Sequence, residues 1–292
     1  MLLAAVCWGS TGTAQAFAPE GATPVAVGAI RLAVGGVVLL LWAVVRGALR
    51  CDRPWPRSAT LAAAACMAAY QLCFFAAVAR TGVAVGTVVA IGSAPVLAGL
   101  FGWWLRRERP GRAWGIATAL AVAGCTVLSL GGGPVAGAPA LDFIGVALAL
   151  GAGGSYALFA VLSKELVAQQ RPEAAMGVIF SLGALMLSPL FFGLDFTWLA
   201  EVRGMLVAIH LGIVTTALAY ALFAQGLLST TVATAATLTL AEPLTATLLG
   251  LLVLREAATP ASLAGMALIG IGLLTLAAGS ARLRVSAASP GT

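Results

Sequence analysis

TGVAVGTVVAIGSAPVLAGLFGWWLRRE, residues 81–108, and STTVATAATLTLAEPLTATLLGLLVLRE, residues 229–256, carry one pattern at two places 148 positions apart. Each opens on small residues, passes through a proline (Pro95, Pro243) and closes on an Arg-Glu pair (Arg107-Glu108, Arg255-Glu256). The same offset lays Pro24 on Pro172 and Gly124 on Gly272. Each stretch holds about 20 almost uncharged residues, enough for a helix to cross a ~30 Å hydrocarbon layer. Membrane β-strands would show short alternating segments, and these continuous runs do not.

The rest of the chain reads the same way. Of 292 residues, 61% are hydrophobic and 9% charged, with a mean hydropathy of +1.04. A soluble domain carries about 25% charged residues, so lipid is the implied solvent; soluble enzymes, DNA binders and disulfide scaffolds are excluded. Cutting at charges and at Pro and Gly clusters predicts ten spans: 2–18, 25–46, 58–79, 83–105, 112–130, 142–163, 174–193, 204–227, 231–254 and 260–280. The expected fold is an all-α integral membrane protein of ten transmembrane helices. Residues 1–130 form a first five-helix repeat, 131–141 a Gly/Pro/Ala-rich linker, 142–280 a second repeat and 281–292 a tail. Five is odd, so the second repeat is inverted relative to the first, an arrangement of secondary transporters whose substrate site lies near the midplane between the halves.

Of 16 Lys and Arg, 12 fall in connections on one side (Arg46, Arg50, Arg53, Arg57, Arg106, Arg107, Arg109, Arg112, Lys164, Arg171, Arg282 and Arg284), three on the other (Arg80, Arg203, Arg255), and Arg31 lies within a span. That asymmetry predicts cytoplasmic termini and explains the net charge of +6 without nucleic acid. Cys7, Cys51, Cys66, Cys73 and Cys125 have no CxxC spacing and read as small core residues, not disulfide or metal positions. The apolar run from Met1 continues through Trp8-Gly9-Ser10, which reads as a span rather than a cleaved signal.

Trp8-Gly9-Ser10, Pro24, Arg31-Leu32, Ser93-Ala94-Pro95-Val96, Arg107-Glu108, Glu242-Pro243-Leu244 and Arg255-Glu256, in this order and spacing, resemble EamA-type members of the drug/metabolite transporter superfamily, from about residue 2 to about 280. The resemblance implies export or exchange of small metabolites without ATP in a bacterial inner membrane, and the aromatic lining below is most similar to that of bacterial amino-acid exporters. One departure is the lack of overhang before the first span, for which an upstream start codon would account. No cofactor or metal is implied; the partners expected are a small-molecule substrate and the bilayer.

Ionisable groups within a span need a partner or a watery cavity. Three occur: Arg31, His210 and Glu242, the last about 17 Å into its span. Glu242 reads as a proton-coupling or ammonium-binding carboxylate, or else as a structural partner of Arg31 or a cap at the Pro243 break. Arg31 suits a carboxylate or snorkels outward. His210, near a span end, reads as a hydrogen-bonded packing residue rather than a pH switch. Trp8, Tyr70, Phe74, Tyr156, Phe159, Tyr220 and Phe223 sit toward mid-span, the last six in i+3 or i+4 pairs, and form either a cavity wall or bundle packing. Gln71, Ser93 and Ser155 would add polar contacts. The expected substrate-binding set is therefore Trp8, Tyr70, Gln71, Phe74, Ser93, Ser155, Tyr156, Phe159, Tyr220 and Glu242, with Gly9, Pro95, Gly154 and Pro243 as hinges. Trp42, Trp55, Trp103, Trp104, Trp114 and Trp198 fall at span ends, as interfacial anchors do.

These features point to a secondary transporter of amino acids or related metabolites working by alternating access, with a multidrug or other metabolite exporter as the alternative. An intramembrane enzyme would need a convergent His, Asp or Cys cluster, which a single His and Glu242 do not supply, so no catalytic residue is expected. A channel would need a filter sequence and an ATPase a phosphate-binding loop, and neither is visible.

Overall fold

The computed structural model describes residues 1–50, 53–130 and 142–288, and their side chains except at 83, 84 and 280–288; Cys51 and the expected linker lie outside the described residues. Helices are α1 (Leu2–Ala16), α2 (Pro24–Val45), α3 (Arg57–Gly82), α4 (Val85–Arg106), α5 (Arg112–Leu130), α6 (Phe143–Gln169), α7 (Pro172–Leu187), α8 (Val202–Ser229), α9 (Val232–Leu252) and α10 (Pro260–Ala288). Among the described residues nine helical segments, α2 to α10 with α7 continued to Gly193 by a 3-10 turn, are long and apolar enough to cross a membrane. The 15 residues of α1 reach about 22 Å, short of a full hydrocarbon layer. Phe143, Phe192 and Leu274 stand on the exterior, as suits a surface solvated by lipid.

Local chemistry sets the helix ends. Pro24 and Pro172 each occupy a first helical turn, where a missing N–H costs nothing. Asp142 caps α6, accepting from the backbone N–H of Ile144 (2.9 Å) and Gly145 (3.1 Å) and pairing with Arg80 at 2.8 Å. Thr259 and Ser262 exchange hydrogen bonds at the start of α10. At Gly82, φ of 81° breaks the chain between α3 and α4, a backbone that glycine adopts without strain.

Small residues then let helices touch. α6 runs along α3 and α4: Gly151 lies against Cys73, and Gly153 leaves no room for a Cβ beside Ser93. α5 and α10 meet through Gly124 and Gly272, where a Cβ would come within 2.7 Å of the Gly265 carbonyl and 2.8 Å of the Ala117 carbonyl. At Gly9 a Cβ would meet Thr245 at 2.5 Å and the Glu242 carbonyl at 2.8 Å, so α1 lies directly on α9. Close approach of this kind replaces the hydrophobic effect as glue between helices in lipid.

The basic connections gather at one end. Arg53 donates to the Ala168 carbonyl, Arg171 to that of Arg46, Gln170 to that of Arg53, and Lys164 pairs with Glu108. Trp42, Trp103 and Trp104 are exposed at helix ends, whereas Trp198 is buried against Gly204 and anchors a connection rather than an interface. Cys7, Cys66, Cys73 and Cys125 are free thiols.

Candidate functional site

Two irregularities shape the centre of the bundle. The first is a break in α9, which the hydropathy reads as continuous: Val232–Leu238 is one helix and Ala241–Leu252 another. Pro243 has no N–H to give the Thr239 carbonyl, and the Glu242 N–H takes that acceptor instead in a tight turn at 2.8 Å. Glu242 therefore sits in the first turn of a 12-residue half-helix, at its positive end. The second is a π-helical turn in α8 over Ile213–Leu218, in which the Thr215 and Thr216 hydroxyls both donate to the Leu211 carbonyl (2.8 and 2.9 Å). It packs on Gly35 of α2 and sets the phase of Tyr220 and Phe223 beyond it.

A cavity of ≈ 70 Å³ opens where these elements meet, lined by Trp8, Arg31, Tyr70, Ala90, Ile91, Ala94, Tyr156, Tyr220, Thr239 and Glu242. Five of the sequence-derived residues, Trp8, Tyr70, Tyr156, Tyr220 and Glu242, thus share one wall. Trp8 packs edge on to Tyr220 at 4.9 Å and Phe159 edge on to Tyr220 at 5.9 Å, while Tyr70 and Tyr156 are tilted at 5.9 Å between centroids. Arg31 and Glu242 face the cavity from α2 and α9, and among the described residues neither forms a salt bridge. The Trp8 indole N–H is buried without a hydrogen-bond partner among the described residues, an arrangement that costs about 1–3 kcal/mol unless a ligand accepts from it.

The other expected residues lie elsewhere. Phe74 stacks behind Tyr70 at 5.8 Å, and Phe159 is fully buried against Phe180 and Phe223. Ser93 donates to the Ala90 carbonyl at 3.2 Å and packs on Gly153; Ser155 is half-buried outside the lining. Gln71 donates to the Gly28 carbonyl at 3.3 Å and faces a separate apolar crevice. His210 hydrogen-bonds Ser10 at 2.9 Å in a third crevice, ≈ 460 Å³, with Phe17 and Arg203. Among the hinge candidates, Gly9 is wedged against α9 and Gly154 has only Leu97 nearby, at 3.8 Å from a built Cβ. Pro95 lies inside α4 and Pro243 at the α9 break.

Sequence reasoning missed Ala90, Ile91, Ala94 and Thr239. A signal for the last three existed: the 148-residue offset carries Glu242 onto Ala94, Thr239 onto Ile91 and Tyr156 onto Trp8, and all six line the cavity.

A polytopic helical bundle with a polar, aromatic-walled cavity between its helices defines a multi-pass membrane transporter in outline. The chain belongs to the EamA-like transporter family, whose sequence model matches residues 1–130 and 143–278. It is 44% identical to the uncharacterized transporter YwfM of Bacillus subtilis (strain 168) over 289 residues, covering 99% of this chain and 96% of that protein. It is also 36% identical over 132 residues to an uncharacterized transporter of Archaeoglobus fulgidus, covering 44% of this chain and 46% of that protein. A crystal structure with 24% identity superposes with a TM-score of 0.81 over 96% of each chain and agrees in fold. Family and relatives point to a transporter, not an enzyme, which implies a small-molecule substrate and a lipid bilayer.

Proposed function

We propose that this protein is a secondary transporter that exports or facilitates passage of amino acids and related small metabolites by alternating access in a bacterial inner membrane, through ten spans in two inverted repeats with cytoplasmic termini. The observation that carries this reading is that Arg31 and Glu242, opposite charges with no salt bridge among the described residues, line one aromatic cavity. A charge held within a membrane span without a partner is expensive, and a zwitterion relieves both at once: its carboxylate meets Arg31 and the Trp8 N–H, its ammonium meets Glu242 and the ring faces.

Three pairs of lining residues at one sequence offset, Trp8/Tyr156, Ile91/Thr239 and Ala94/Glu242, support a pseudo-two-fold axis through the cavity. The two stretches matched by the family model, 1–130 and 143–278, are of nearly equal length and support the same division. α1, though 15 residues long, is wedged against α9 at Gly9 and supports a tenth, first span. Cavity size favours a small metabolite over a bulky drug: ≈ 70 Å³ is far below the ~300 Å³ at which drug-sized pockets begin. Arg31 in the wall also opposes a purely cationic drug.

The test is competition in proteoliposomes. Uptake of a labelled amino acid by counterflow is expected to be inhibited by other amino acids and only weakly by the matching amine or carboxylic acid, each of which satisfies one charge. Inhibition by the amine alone would move the substrate to organic cations.

A further inference from the structure

The Arg-Glu pairs that end α4 and the membrane-spanning part of α9 are built alike. Arg107 and Arg255 both adopt the left-handed conformation (φ 55° and 56°), and the following N–H, of Glu108 or Glu256, returns to the carbonyl of a glycine six residues back, Gly102 or Gly250, at 3.1 Å in each case. Each carboxylate then lies against its own glycine; at Gly250 there is no room for a Cβ. Two helix ends 148 residues apart thus present a glutamate in the same way.

Their surroundings differ. Glu108 is engaged: Oε2 accepts from the Val232 N–H at 2.9 Å, and Oε1 pairs with Arg106 at 3.4 Å and with Lys164 Nζ at 2.9 Å, which also donates to the Thr230 carbonyl at 2.5 Å. One half-buried carboxylate therefore ties the end of α4 to α6, to the end of α8 and to the start of α9, across the Arg-rich end of the bundle. Glu256 is exposed and forms no ion pair among the described residues. The offset partner of Val232 is Ala84, immediately before α4 begins, and that of Lys164 is Ala16.

We propose that Glu108 and Glu256 are alternating latches of the transport cycle. Glu108, seated on the start of α9, holds the Arg-rich end shut in the described conformation. When that end opens, Glu256 takes the matching seat at the start of α4 and shuts the opposite end. The two cannot be equal, because Ala16 supplies no cation where Lys164 does, so the resting protein favours the Arg-rich end closed. Glu108 and Lys164 act as positioning residues: they touch no substrate and set which side reaches the cavity. This inference rests on the alternating-access reading.

The test needs no knowledge of the substrate. A single cysteine is placed in the cavity by Ala94→Cys in the full chain, with the native cysteines replaced, and labelled in oriented proteoliposomes by a membrane-impermeant methanethiosulfonate added to one side at a time. With the latches intact, labelling is faster from the side opposite the Arg-rich end. Adding Glu108→Gln is expected to raise the rate from the Arg-rich side about tenfold, the worth of a charge-assisted bond, and Lys164→Met to raise it less because the Val232 and Arg106 contacts remain. Glu256→Gln should lower it. Unchanged labelling from the Arg-rich side in both Glu108→Gln and Lys164→Met, or the same response to Glu256→Gln as to Glu108→Gln, overturns the latch. Equal and simultaneous access from both sides before any latch substitution overturns alternating access itself, a distinct outcome.

Discussion

Arg31 and Glu242 line the same cavity from α2 and α9, and no salt bridge joins them. The two readings of Glu242 that the sequence leaves open therefore separate on energetic grounds. Breaking a buried ion pair costs about 3–5 kcal/mol, whereas removing an unpaired carboxylate costs little or stabilises. For Glu242→Gln the expectation is an unchanged or higher melting temperature in detergent, with amino-acid exchange reduced about tenfold or more. If Glu242 also exchanges a proton during the cycle, the pH dependence of the residual transport flattens. Full pH dependence in Glu242→Gln assigns coupling elsewhere, and a marked loss of stability restores the structural pair.

Trp8 offers a finer probe, because its ring and its N–H have different tasks. The ring packs at 4.9 Å on Tyr220 and 5.6 Å on Phe223, while the N–H has no partner among the described residues. Trp8→Phe keeps most of the packing and removes the donor. The apparent KM for amino-acid exchange should rise about fivefold to tenfold, the worth of one hydrogen bond to a charged group, with stability nearly unchanged. An unaltered KM would show that this N–H never meets the substrate.

Pro95 and Pro243 each deny a hydrogen bond to the carbonyl four residues back, those of Ile91 and Thr239, and both of these residues line the cavity. Bending there would move the cavity walls directly. Pro95→Ala and Pro243→Ala, which allow the missing bond to form, are expected to slow exchange about tenfold while the protein stays folded and monodisperse. Wild-type rates in both variants would place the moving parts elsewhere.

Asp142 makes a prediction about stability alone. Its carboxyl is held below its ordinary value of 3.8, first by the Gly145 N–H it caps and further by Arg80 and the Ile144 N–H. A depressed acid contributes stability above its ordinary value and loses it as pH falls through the lowered one. The melting temperature of Asp142→Asn, which can still accept the capping bonds, should lie below that of the wild type by a constant margin near neutral pH. That margin should shrink below about pH 4 as the wild-type carboxyl takes up its proton. A margin independent of pH would make the Arg80 contact irrelevant to folding.

Much of this architecture is legible in the residues. The span limits follow from apolar runs closed by charge, and α5 begins and ends where the hydropathy places it, at 112 and 130. The break between Leu238 and Ala241 was legible in Pro243, though not its exact place, whereas the π turn at Ile213–Leu218 was not legible, because it depends on which carbonyl gains the Thr215 and Thr216 hydroxyls in the packed bundle. The site divides in the same way. Tyr70 and Phe74 share a helix face at i+4, but Gln71, one residue along, is turned about 100° from Tyr70 and bonds the Gly28 carbonyl away from the cavity. Ala94 and Ile91 carry no chemical signal; only the repeat points to them. Trp198 resembles an interfacial anchor in sequence and is buried because the connection before α8 folds back over Gly204.

The most direct measurement of the central claim is counterflow in proteoliposomes loaded with unlabelled amino acid and challenged with a panel of labelled amino acids of different size and charge, then with cationic drugs. The account predicts saturable, transient accumulation of one or more zwitterionic amino acids, lost on Tyr70→Ala or Tyr156→Ala in protein that remains folded. Counterflow of cationic drugs with no amino-acid exchange, in protein of demonstrated stability, would contradict it and leave the fold serving a different substrate.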